Sequence, residues 1–81
     1  MNEQEILRQV SALVQQEHEL RAKAQLGKLS VDEERGRLRN VEEALDQCWD
    51  LLRQRRARSE FGQNADEAAA RPTEEVEGYL Q

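Results

Sequence analysis

His18 between Glu17 and Glu19, Cys48 beside Trp49, and the run Arg53, Arg55, Arg56 and Arg58 are the side chains whose types and spacing could do chemistry in this 81-residue chain. A histidine flanked by carboxylates suggests a metal. Structural zinc sites need four ligands, however, and di-iron bundles use Glu-x-x-His with several converging carboxylates, whereas Gln15 stands three residues before His18. Cys48 is the single cysteine, so no disulfide forms within the chain, and redox chemistry would need a second Cys48 from a symmetric partner. On an apolar helix face the thiol behaves as a small hydrophobic group with a raised pKa. The arginine run could grip phosphates, but no aromatics are interleaved for base stacking, and cations that end a helix complement its macrodipole. No catalytic, nucleotide-binding or cofactor-binding signature accompanies these groups, and no enzyme is expected.

The elements that position them are legible. Ile6, Val10, Leu13, Glu17, Leu20 and Ala24 recur at alternating spacings of four and three, as do Val31, Glu34, Leu38, Val41, Leu45, Cys48, Leu52 and Arg55. Two helices follow, over 3–26 and 31–59. Between them Gly27 can take the positive φ that closes a helix, and Ser30 with Glu33 forms a capping box that opens the next. The chain therefore folds back into an antiparallel, coiled-coil-like hairpin over residues 1–59, with Leu20 opposite Leu38, Leu13 opposite Leu45, Val10 opposite Cys48 and Ile6 opposite Leu52. Glu17 and Glu34 on the seam have Arg21, Arg35 and Arg37 within reach for ion pairing. Composition rich in Glu, Arg, Leu, Ala and Gln predicts an all-α fold without strands.

Leu7 and Val14 on the first helix, and Trp49 and Leu51 on the second, exceed the one stripe per helix that a hairpin can bury. A four-helix bundle gives each helix two neighbours, so a homodimer is expected. Residues 60–81 form an acidic tail in which Arg71 stands against Glu60, Asp66, Glu67, Glu74, Glu75 and Glu77, and it carries the whole net charge of -5 because both helices are neutral. Within it Asn64 resembles a cap followed by an alanine-rich turn or two that Arg71-Pro72 ends, and 73–80 is a short amphipathic segment with Val76, Tyr79 and Leu80 on one stripe. The tail docks either on its own hairpin, at the arginine-rich end and the flank of Leu7, Val14 and Trp49, or on another protein. An acidic tail on a neutral hairpin disfavours nucleic acid and anionic lipid. With no leader-like or bilayer-spanning apolar run, no membrane is expected and the location is expected to be cytoplasmic.

Across Leu45-Asp46-Gln47-Cys48-Trp49-Asp50-Leu51-Leu52-Arg53-Gln54-Arg55-Arg56-Ala57 and Arg71-Pro72-Thr73-Glu74-Glu75-Val76-Glu77-Gly78-Tyr79-Leu80-Gln81, together with Glu17-His18-Glu19-Leu20-Arg21, the chain resembles a small family of uncharacterised actinobacterial proteins classed as a domain of unknown function. The resemblance spans essentially the whole chain and implies a bacterial, actinobacterial origin without supplying an activity or a site. The joint from Leu26 to Glu34 is also similar in architecture to the short helical hairpin module at the ends of many bacterial proteins, with Arg35 where that module carries an aromatic or aliphatic residue.

The reading that fits best is a non-enzymatic protein–protein interaction module with Leu7, Val14, Trp49, Leu51, Arg53, Arg56, Val76, Tyr79 and Leu80 as candidate contact residues. The alternatives are a nucleic-acid or phosphate binder through the cluster from Arg53 to Arg58 and, below it, a metal or redox site at His18 and Cys48.

Overall fold

The computed structural model describes residues 1–80, with the side chains of Tyr79 and Leu80 outside that description. Helix α1 spans Glu3–Gln25. Its first turn is closed by the Asn2 side chain, which accepts from the Glu5 amide at 2.9 Å, and it carries Glu3 and Glu5 at the positive end of the helix dipole. Leu26 is the cap at its far end. Gly27 then takes φ 73°, which lets its amide donate to Ala24 O at 3.0 Å and the Lys28 amide donate to Lys23 O at 2.9 Å, the Schellman closure that lets the chain turn back.

Helix α2 spans Val31–Glu60 and opens with both halves of the capping box, Glu33 N–H to Ser30 Oγ at 3.1 Å and Ser30 N–H to Glu33 Oε1 at 3.3 Å. It ends as α1 does. Gly62 at φ 72° allows the Gln63 amide to reach Arg58 O at 2.6 Å. A 3₁₀ turn, Ala65–Glu67, follows under an Asn64 cap, and helix α3 spans Thr73–Leu80. The expected alanine-rich helical turns do not continue past Glu67: Ala68 is extended at ψ 139° and packs against the core, and Pro72 disfavours helical backbone in the residue before it. Among the described residues there is no strand.

α1 and α2 pack along the periodic seam. On α1 the residues withdrawn from solvent are Ile6, Val10, Leu13, Glu17, Leu20 and Ala24. The core gathers Ile6 and Val10 with Cys48 and Leu51, and Leu13, Leu45, Leu52 and Ala68 pack around it, in the order an antiparallel register requires. Val31 departs from the expected seam and is 65 % exposed, because it lies beyond the end of α1, where no partner helix remains to cover it. The molecule measures 51 × 25 × 14 Å, a ribbon little more than one helix thick whose length is set by the ~45 Å of α2. The tail returns along α2, with the 3₁₀ turn and α3 both packed on that helix and Ala68 set against the α1–α2 core.

Candidate functional site

Two flanks of the hairpin differ in what covers them. On the first, the α2 residues Gln47, Asp50 and Gln54 recur at spacings of three and four and face the returning tail. Asp50 is completely buried, and its carboxylate accepts from Arg71 Nε at 2.9 Å, from Arg71 Nη2 and from Gln54 Nε2 at 2.9 Å, with Arg53 Nη2 3.8 Å away. The hydrogen bond from Arg71 holds the Asp50 carboxyl below its ordinary pKa against the opposing effect of burial, with Gln54 and the charges of Arg71 and Arg53 adding to the lowering. Arg71 in turn is held protonated by Asp50. Around this pair the amide of Gln47 donates to Arg71 O at 3.2 Å and to Thr73 Oγ1 at 3.1 Å, and that of Gln54 donates to Ala69 O at 2.9 Å. Side chains of α2 thus satisfy carbonyls that the non-helical stretch before α3 leaves without backbone partners.

Beyond that clasp α3 runs toward the start of α2. Thr73 sits at Gln47, so Glu77, one turn further along, reaches the α2 turn that holds Glu43 and Asp46. The carboxyl of Glu77 is raised above its ordinary pKa by hydrogen-bonding contact with Asp46, then by burial and by the charges of Asp46, Glu43 and Glu42. Its Oε1 is buried without a donor. These two facts agree, since two carboxylates facing each other are both acceptors until one of them takes a proton.

At the other end of the tail the 3₁₀ turn meets the arginine cluster. Arg55 Nη1 donates to Asp66 Oδ1 at 2.9 Å and to the Met1 carbonyl at 2.8 Å, and Arg58 pairs with Glu67 at 3.7 Å. Arg53, Arg55 and Arg58 therefore each have a carboxylate in their own chain, which removes most of the charge available to an outside phosphate. Arg56 is exposed on the opposite flank.

That second flank is bare except at its end, where Ala65 of the tail reaches its edge. Leu7 is 44 % exposed, Val14 39 % and Trp49 44 %, and Leu7 and Trp49 line one shallow cavity together with Glu3, Arg56 and, from the tail, Ala65. The structure thus divides the candidate contact residues. Leu51 is buried in the core between α1 and the tail, and Val76 is completely buried, so neither offers a surface to a partner. The reason is that the returning tail covers the α2 flank that a bare hairpin would expose. Tyr79 and Leu80 lie outside the residues whose side chains are described. Of the two places expected on its own hairpin, the tail meets the arginine-rich end, through Asp66 and Glu67, and packs mainly on the flank away from Leu7, Val14 and Trp49, with only Ala65 at the edge of the cavity that Leu7 and Trp49 share.

Cys48 is buried, its thiol is pushed up in pKa by burial, and it donates to Gln9 Oε1 at 3.7 Å. His18 is exposed, and no three or more His, Cys, Asp or Glu side chains gather into a metal-holding group among the described residues. Glu17, on the seam, pairs with Arg21 at 3.8 Å, whereas Arg37 pairs with Glu33 at 4.0 Å. Asp50 and Arg71 lie outside the apolar periodicity of the sequence. The available signal was the polar stripe Gln47, Asp50, Gln54 at core-like spacing, together with the one cation in an acidic tail.

Over residues 2–81 the sequence matches the family described as "Protein of unknown function (DUF2630)". It is 49 % identical over 75 residues to uncharacterised proteins of Mycobacterium bovis and of Mycobacterium tuberculosis, an overlap that covers 93 % of this chain and 86 % of each relative. No solved structure matches the chain. No helix among the described residues is long and apolar enough to cross a membrane.

Proposed function

The chain belongs to the family of proteins of unknown function DUF2630, and we propose that this member is a non-enzymatic helical interaction module whose contact surface is the flank of Leu7, Val14 and Trp49. The observation that carries this reading is the contrast between the flanks. One is covered by the chain's own tail down to complete burial of Asp50 and Val76, while the other leaves three large apolar side chains in water. Apolar groups grouped on one face and rimmed by charge are the usual mark of a protein contact. A cytoplasmic location belongs to the same reading, and so does the tail as an internal cover with no contact to a partner. Pairing of Arg55 and Arg58 with tail carboxylates weighs against phosphate binding by that cluster.

The experiment compares wild type with Leu7→Gln and Trp49→Gln. Both side chains are partly exposed, so the melting temperature of the isolated chain should change little, while association, with itself by light scattering or with another protein in a defined reconstitution, should be lost. A wild-type protein that associates with nothing, or variants that associate as wild type does, would end this assignment.

A further inference from the structure

The bare flank has the symmetry of a surface that pairs with itself. On α2, Glu42 and Arg56 lie seven residues before and after Trp49, hence on the same face and about 10 Å to either side of it. On α1, Leu7 and Val14 are likewise seven apart, with their midpoint between Val10 and Ser11. The seam that sets Val10 opposite Cys48 places that midpoint within about 2 Å, measured along the ribbon, of the level of Trp49. Both helices therefore centre their exposed apolar groups on one line across the ribbon. A two-fold axis along that line, in the plane of the contact, would lay α1 on α1 and α2 on α2 of a second copy, each pair antiparallel.

Resting on the interaction-module reading, we infer that the occupant of this flank is a second copy of the chain, joined face to face about an axis at Trp49. In that arrangement Trp49 meets its counterpart, Leu7 of each copy lies against Val14 of the other, and Glu42 of each lies against Arg56 of the other. The charges support this partner over an unrelated one. The exposed rim residues Glu42 and Arg56 have no ion pair among the described residues within their own chain, and they are of opposite sign at equal distances from the centre. Such a rim is neutralised by its own rotated image. Glu42 and Arg56 are about 21 Å apart along one helix and cannot touch within a chain, so any energetic coupling between them reports contact between copies.

The full chain is studied by sedimentation equilibrium, with circular dichroism melts showing that each variant is folded. Wild type should form dimers. Glu42→Arg or Arg56→Glu alone places like charges together twice per dimer and should weaken association roughly tenfold. The double variant in one chain, or an equimolar mixture of the two single variants, should recover it. A wild-type dimer whose association neither recombination restores would overturn the antiparallel pairing about Trp49. A wild-type monomer at all concentrations would overturn self-association. In that case, loss of a different, purified partner on Trp49→Gln would leave the interaction-module reading standing with another occupant.

Discussion

Asp50 and Ile6 are both completely buried, yet removing their contacts acts through different physics. Ile6→Ala leaves a cavity at the seam and should cost about 2–5 kcal/mol in a denaturant or thermal melt. Arg71→Ala leaves a buried carboxylate with only Gln54 and the more distant Arg53, so the loss should exceed that of Glu75→Ala, which removes only the exposed partner of Arg71 at 3.4 Å. The replacement of both Asp50 and Arg71 by leucine should be milder than Arg71→Ala, because no charge is then stranded. The two shifted carboxyls also give the tail a pH dependence of definite sign. Glu77 is raised, so its contribution to docking is full below the ordinary glutamate value and is lost as pH rises through the raised value. Asp50 is lowered, so its contribution is present above the ordinary aspartate value and is lost as pH falls through the lowered one. The α3 helix should therefore be held best between the lowered Asp50 value and the raised Glu77 value. Hydrogen exchange of the Val76 amide, corrected for intrinsic rates, should show protection weakening as pH rises from the ordinary glutamate value through the raised value of Glu77, and Glu77→Gln should flatten that limb. Identical profiles for the two proteins would show that the contact with Asp46 does not govern docking.

Among the elements, the two long helices and their joint were legible because local rules decide them. The alternating seam set the face of α1 residue by residue, and Gly27, Ser30 and Glu33 set the turn without reference to anything distant. The tail was less so. Its Asn64 cap and Pro72 were visible, but an alanine run of high helix propensity lies in extended backbone at Ala68 because tertiary contact and the coming proline override propensity. The clasp was hidden for a similar reason: a buried Asp50 looks like a surface residue of α2 until Arg71, 21 residues later, is brought to it. The glycines give a matched test of element-level physics. A Cβ on Gly36 would meet nothing within 4 Å, so this glycine is not there for close helix approach, and Gly36→Ala should stabilise the exposed middle of α2 by up to about 1 kcal/mol. Gly27→Ala meets equally open space but must hold φ near 73°, and should destabilise by about 1 kcal/mol. Melts that moved in the same direction for both would show that backbone conformation does not explain the hairpin turn.

At the scale of the whole molecule, the tail takes the place that a second hairpin was expected to fill on one flank and leaves the other flank to be filled. The tail covers mainly one face of the hairpin and reaches the other only at Ala65, so cover on one side does little for the other. That separation makes the two surfaces independently testable. Removal of residues 61–81 uncovers Asp50 and Leu51, strips Arg55 and Arg58 of Asp66 and Glu67, and should lower the melting temperature by many degrees. Trp49 meets the removed segment only at the cavity whose rim includes Ala65, so its emission at a concentration below that of association should stay close to where it is in the full chain. At higher concentration the truncated chain should associate more than wild type does, because a second apolar strip containing Leu51 is now exposed beside the one already there. A large shift of Trp49 emission on truncation of the dilute protein would mean that the tail covers the flank and not only its edge at Ala65, and the division of the molecule into a self-covered side and a partner side would have to be abandoned.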